Sequence, residues 1–242
     1  MTQGTLYGVG LGPGDPELMS VRADRIVRHA RHVAFFRKAG RAGRARTIVD
    51  GMLSKDVIEL AMEYPVTTEI PLSDPRYNDM LATFYADCRT RLKAIAMAGH
   101  DIAVLCEGDP FFYGSFMHLY TRLKDDVPMQ VIPAITGMSA AWTASGQPIT
   151  WGDDVLSTAM GTLPEDALTR TMEQADALVV MKIGRNLAKV RRALHAAGKA
   201  DRAILVEYAS MTGQKVQPLL HYDGATLPYF SIIVVHGQGR RP

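Results

Sequence analysis

Residues 102–114 read Ile-Ala-Val-Leu-Cys-Glu-Gly-Asp-Pro-Phe-Phe-Tyr-Gly. Five apolar residues stopped by a Gly-Asp-Pro break predict a buried strand with a loop at its carboxyl end. In an open α/β sheet that end is where ligands bind. Upstream, residues 78–98 predict a helix: Leu81, Phe84, Tyr85, Cys88, Leu92 and Ile95 recur at three- and four-residue steps, with Arg89, Arg91 and Lys93 between them. Gly99 ends that helix, and the buried strand follows.

Working outward, residues 5–9, 32–36 and 129–132 are further apolar strand-like runs, with helical spacing between several of them. This alternation predicts an α/β layer with a largely parallel sheet. Residues 136–145 can form a helix, and residues 146–152 then carry turn and breaker residues without periodicity. The expected boundary falls there, giving an N-terminal α/β domain at 1–147 and a C-terminal one at 148–242. In the second half, residues 155–160, 177–181 and 203–207 read as strands. Residues 185–196 read as a helix with Leu187, Val190 and Leu194 inward. Residues 216–220 and 231–236 follow as strands separated by loop, so the second sheet is expected to be mixed.

The bulk numbers narrow the function classes. The chain has 242 residues, 47% hydrophobic and 21% charged, enough to bury a substantial core. Its 27 Lys and Arg against 25 Asp and Glu leave a formal charge of +2, too balanced for a surface devoted to neutralising phosphates. Nucleic acid is not expected as a partner. Cys88 and Cys106 have neither metal spacing nor a CxxC pattern and read as buried free thiols in a reducing compartment. With no basic leader and no membrane-length apolar run, the expectation is a soluble, cytoplasmic protein without a membrane association.

Three segments could carry chemistry. Gly8, Gly10, Gly12, Pro13, Gly14, Asp15 and Pro16 follow the first strand, where missing Cβ atoms let a ligand approach the backbone. A dinucleotide fold would want GxGxxG leading straight into a helix, yet the third glycine position is Pro13 or Asp15. The second strand ends in Arg37 and Lys38, not in an acid for a ribose hydroxyl, although an Arg there could take the extra phosphate of NADP, which leaves an oxidoreductase reading open. The second segment is the 106–114 loop already quoted. The third, residues 133–139 (Pro-Ala-Ile-Thr-Gly-Met-Ser), offers small side chains, hydroxyls and the free amides of a helix start.

Residues 37–46 add Arg37, Lys38, Arg41, Arg44 and Arg46 on what reads as a flexible loop, either an anchor for an anionic ligand or a solvated surface segment. Seven scattered histidines, with only His29 and His32 close together, give no metal-binding pattern. No Ser-His-Asp or paired-carboxylate constellation is visible.

In combination and in this order, GxGPGD, GDPxxYG and PAITG resemble the tetrapyrrole methyltransferase family, and the similarity spans both halves. The resemblance implies two α/β domains with a cofactor cleft between them, S-adenosyl-L-methionine as cofactor, and a homodimer. The opening LYGVGLGPGDPELMS, the segment VAFFRKAGRAGRARTIVDG, the phrase EYPVTTEIP and VVMKIGRN look most like the members that methylate carbon 20 of precorrin-2. Members acting on cobalt-precorrin-2 are the runner-up. By resemblance, Pro13, Gly108, Asp109, Phe112, Tyr113 and Gly114 hold the cofactor, with Thr136 and Gly137 touching it. Met181 or Lys182, Tyr208, Ala209 and Ser231 match positions that close around adenine. Transfer from a sulfonium needs positioning more than a catalytic side chain. A proton must still leave the methylated carbon, and Glu107, Asp109 and Tyr113 are candidates beside the alternatives that Asp109 orients its own turn and that water takes the proton. The substrate's many carboxylates would suit the cations at 37, 38, 41, 44 and 46. No metal site is expected, and the intact GDPFFYG loop disfavours a noncatalytic carrier.

Overall fold

The computed structural model describes residues 2–67, 70 and 74–241; Thr68, Glu69 and Pro71 of the EYPVTTEIP phrase lie outside the described residues. In chain order the elements are β1 (Leu6–Gly10), α1 (Val21–His29), β2 (His32–Lys38), α2 (Arg44–Ile48), β3 (Ile58–Tyr64), α3 (Pro75–Met97), β4 (Ile102–Cys106), α4 (Phe116–Leu123), β5 (Met129–Ile132), α5 (Gly137–Ala144), β6 (Leu156–Met160), α6 (Glu165–Gln174), β7 (Ala177–Met181), α7 (Leu187–Ala196), β8 (Ala203–Glu207), β9 (Lys215–Pro218) and β10 (Ser231–Val235). They form two compact units, Met1–Thr136 and Gly137–Pro242.

The first unit holds a sheet in the order β3-β2-β4-β1-β5, parallel throughout. β4 is central and buried from Ile102 to Leu105, as a continuous apolar run demands when both faces are covered. On one face Leu6, Ile102 and Val104 pack with Tyr85, Cys88 and Leu92 of α3 and Phe116 and Leu119 of α4. On the other, Val9, Ala103 and Leu105 pack with Ala23 and Val27 of α1 and Ala45 of α2. The long helix starts three residues earlier than the apolar spacing suggests, because the Asp74 side chain caps it and Pro75 occupies its first turn. β3 escaped the sequence reading: it is an edge strand in which only Met62 is fully buried, so no apolar run marks it.

The second unit has the order β6-β7-β10-β8-β9, with β6 parallel to β7 and the remaining pairs antiparallel. It is the mixed sheet the loop-separated strands predict. Leu168 and Met172 of α6 and Leu187, Val190 and Leu194 of α7 cover one face. α5 covers the other, burying Ala140 and Ala141 against Val179, Val206 and Val234. That packing is why the units divide after Thr136 and not at the breaker-rich run near residue 147. β9 stops at Pro218, which has no N–H to extend a ladder, and residues 219–221 make a 3-10 turn.

Candidate functional site

β1 and β4 are neighbours, but the helices that follow them lie on opposite faces of the sheet, α1 on one and α4 on the other. Such a switch point is where an open parallel sheet receives ligands, outside the carboxyl ends of the strands. Two loops meet at that place. Leu11 N–H donates to the Cys106 carbonyl at 2.9 Å, and Gly108 N–H donates to the Gly12 carbonyl at 2.8 Å, closing an antiparallel bridge between the glycines. Gly12 (φ +79°) and Gly108 (φ +67°) occupy the left-handed region, and a Cβ on Gly108 would meet nothing within 4 Å. The Gly108 backbone therefore borders open space.

Gly8 and Gly10 have another reason to be glycine. A Cβ on Gly8 would stand 2.3 Å from the Phe116 ring, and one on Gly10 would stand 2.6 Å from the Ala134 Cβ. The expectation that the missing Cβ atoms admit a ligand is corrected for these two: the space is filled by the protein's own side chains.

Asp109 fixes the loop. Its Oδ1 accepts from Phe111 N–H at 2.9 Å and its Oδ2 from Ala134 N–H at 3.0 Å, so both oxygens are engaged and the loop after β4 is tied to the segment leading to Thr136. Phe112 and Tyr113 meet edge to face at 4.7 Å, and Tyr113, 47% exposed, holds φ +54° just before Gly114. Pro13 is buried beside the glycine bridge. The structure thus gathers Pro13, Gly108, Asp109, Phe112, Tyr113, Gly114 and Thr136 at the carboxyl edge of the first sheet. Glu107 stands directly before the bridge. It makes no hydrogen bond among the described residues, and burial pushes its carboxyl up to about 7, with Arg44 pulling partly back.

The same loop argues against a dinucleotide. After Gly12 the chain passes through Pro13 and Gly14 into a 3-10 turn, Pro16–Leu18, capped by Asp15, and α1 begins only at Val21 behind its Ser20 cap. The loop after β1 therefore does not lead straight into an α-helix, as the pyrophosphate position of a dinucleotide fold requires.

In the second unit β7 and β8 run in the same direction, both antiparallel to β10, so the ends of β7 and β8 share an edge with the start of β10, where Ser231 pairs with Glu207. Just past these strands Lys182 (φ +52°), Tyr208 (φ +52°) and Ser210 (φ +59°) are held in the left-handed region. Each costs about 1–2 kcal/mol, and strain of this kind clusters at ligand sites. Ser231 is 3% exposed, and neither its Oγ nor that of Ser210 has a hydrogen-bond partner among the described residues. Buried hydroxyls without partners are rare and point to an absent one. Met181 and Ala209 share a cluster with Met138, next to Gly137 at the start of α5. Gly137, Met181, Lys182, Tyr208, Ala209 and Ser231 therefore converge on one edge. Ser210 was missed, because no sequence pattern announces its positive φ.

The basic segment is not the flexible loop its composition suggests. Arg37 and Lys38 end β2, and Arg44 and Arg46 lie in α2. Arg37 is paired with Glu63 at 2.6 Å, and Arg46 holds Glu59 through two hydrogen bonds and also reaches Asp50. Arg41 alone sits in the intervening loop. Among the described residues no cluster of three or more His, Cys, Asp or Glu could hold a metal, and no helix is long and apolar enough to cross a membrane.

The two α/β units each carry left-handed turns along one sheet edge, the fold class of a two-domain α/β protein. Residues 5–220 match the family model of Tetrapyrrole (Corrin/Porphyrin) Methylases, and the chain belongs to that family. It is 46% identical over 239 residues, covering 99% of this chain and 98% of the relative, to the precorrin-2 C(20)-methyltransferase of a Sinorhizobium species. It is 26% identical over 240 residues, covering 97% of each, to the cobalt-precorrin-2 C(20)-methyltransferase of Salmonella typhimurium. Among solved structures, uroporphyrin-III C-methyl transferase from Thermus thermophilus complexed with S-adenyl homocysteine is similar with a TM-score of 0.65 at 20% identity, covering 96% of this chain and 97% of that one.

Proposed function

We propose that the protein transfers a methyl group from S-adenosyl-L-methionine to carbon 20 of precorrin-2, giving precorrin-3A in cobalamin biosynthesis. The observation that carries this reading is the 46% identity, over nearly the whole of both chains, to a relative named for that reaction. Cobalt-precorrin-2 is the alternative substrate, and the lower identity of 26% to the relative named for it favours the metal-free ring.

The residues present fit the donor: the Gly108 backbone borders open space and the Ser231 hydroxyl lacks a partner among the described residues. When bound, S-adenosylmethionine would supply the methyl group on a sulfonium. Pro13, Gly108, Asp109, Phe112, Tyr113, Gly114 and Thr136 would bind it from the first unit, and Gly137, Met181, Lys182, Tyr208, Ala209 and Ser231 from the second. Their task is to fix position, since prepaid orientation can supply most of the rate in a displacement with a good leaving group. Arg41, in the loop between β2 and α2, is the better substrate anchor of the basic segment, because Arg37 and Arg46 already hold carboxylates of the protein. Two free thiols, Cys88 and Cys106, suit a reducing cytoplasm, and a homodimer is the assembly we propose.

The test incubates the purified chain with carbon-labelled S-adenosylmethionine and precorrin-2 in metal-free and cobalt-loaded form. The expected result is a label on carbon 20 by carbon NMR, formed faster on the metal-free ring. Saturable NADP binding with no affinity for the donor would reverse the reading.

A further inference from the structure

A ring carbon that bears one hydrogen and gains a methyl group becomes tetrahedral, and conjugation returns only when that hydrogen leaves as a proton. Three side chains at the edge of the first sheet could accept it. Asp109 has both oxygens engaged by the Phe111 and Ala134 amides. Tyr113 offers a phenol in place of a carboxylate and is 47% exposed. Glu107 differs from both. It stands between the end of β4 and the Gly12–Gly108 bridge, is partly buried, and makes no hydrogen bond among the described residues. The charged group that acts on it is the Arg44 guanidinium at the start of α2. The next residue in the chain, Gly108, borders the open space of the switch point.

Building on the methyl-transfer reading above, we infer that Glu107 is the catalytic base that removes the proton from the newly methylated carbon. The C–H bond breaks, its electron pair returns to the macrocycle, and a new O–H bond forms on the Glu107 carboxylate, which later passes the proton to water. No oxidant or further reactant is needed. Burial, which pushes the Glu107 carboxyl up to about 7, matches it to proton transfer near neutral pH. Arg44 is a positioning residue that keeps the carboxylate form available.

The test compares wild type, Glu107→Gln and Glu107→Asp with S-adenosylmethionine and precorrin-2, and titrates the carboxyls of the ligand-free proteins by carbon NMR. In wild type, kcat is expected to rise with pH through about 7. Glu107→Gln should lower kcat by about 10²–10⁴-fold and flatten that rise while leaving donor affinity intact. Deuterium on the reacting carbon should slow the Gln variant more than wild type. Glu107→Asp, which keeps a carboxylate, should retain the rising limb. The ligand-free wild type should show a carboxyl titrating near 7 that is missing in Glu107→Gln. A Gln variant with wild-type kcat and an unchanged pH limb overturns the assignment and leaves methyl transfer standing, as does a wild type with no carboxyl titrating above the usual range. A wild type that binds the donor but never methylates precorrin-2 overturns the methyl-transfer reading itself, and this assignment with it.

Discussion

Asp109 Oδ2 accepts a hydrogen bond from Ala134 N–H at 3.0 Å, so one carboxylate locks together the loops leaving β4 and β5, the two strands that flank β1. Removing it in Asp109→Ala leaves the Phe111 and Ala134 amides without their acceptor, at about 1–3 kcal/mol. Because both loops are proposed to touch the donor, affinity for S-adenosylhomocysteine should fall by roughly tenfold or more, at about 1.4 kcal/mol per decade. Calorimetric titration checks this, with Asp109→Asn, which keeps one acceptor oxygen, expected to lie between Ala and wild type. Equal affinity in all three would show that the tie does not shape the binding loops.

Gly8 and Gly108 separate a packing glycine from a binding one. Gly8→Ala drives a methyl into the Phe116 ring and should cost about 1–3 kcal/mol in thermal or denaturant unfolding, with donor affinity of the folded fraction unchanged. A Cβ on Gly108 meets no atom within 4 Å beyond its chain neighbours, so the main cost of Gly108→Val to stability is the left-handed backbone, about 1–2 kcal/mol. Donor binding should nevertheless be lost, since the branched side chain enters the open space. A folded Gly108→Val protein with wild-type affinity would move the donor away from this turn.

The basic segment should divide in the same way. Arg46→Ala removes a two-bond contact with Glu59 whose partners are 24% and 34% exposed, and should cost up to about 1 kcal/mol of stability. Arg41→Ala should leave unfolding unchanged and weaken tetrapyrrole binding, measured by fluorescence quenching, more than donor binding. Substrate affinity that is indifferent to Arg41 would return the segment to an ordinary charged surface.

Glu107 also predicts a stability signature. Its carboxyl sits near 7 when folded against an ordinary 4.5, so between those values the unfolded chain releases a proton that the folded chain keeps. Wild-type stability therefore falls as pH rises from about 4.5 to about 7 and levels off above. Glu107→Gln has no such proton to lose, and its stability relative to wild type should climb across that window. Parallel curves would mean that the carboxyl is not held protonated by burial.

The parallel core was legible because burial on both faces leaves a plain mark, as in Ile102 to Leu105. β3 was not, because an edge strand with Glu59 and Glu63 has one exposed side and no apolar run. The division into compact units after Thr136 follows the apolar face of α5, which packs on the second sheet, and the turn residues at 146–152 do not mark it. Of the site, the motif glycines were visible but not their separate reasons: only coordinates show that Phe116 fills the place beside Gly8 while nothing fills the place beside Gly108. The left-handed turns at Lys182, Tyr208 and Ser210 left no trace in composition, since any glycine would suit those angles better.

That unmarked edge carries the sharpest discriminating experiment. Ser231 Oγ is buried without a partner among the described residues, a cost of about 1–3 kcal/mol that the fold tolerates. If the hydroxyl is kept for the donor, Ser231→Ala should act with opposite signs on its two properties. The ligand-free variant should unfold at a higher temperature than wild type, because an unsatisfied polar atom is gone and little volume changes. Its donor affinity should fall by a few-fold to tenfold, the worth of one hydrogen bond at about 0.5–1.5 kcal/mol. Stabilisation with unchanged affinity would make Ser231 a mere flaw in the core, and destabilisation would mean that the hydroxyl already has a partner in the free protein.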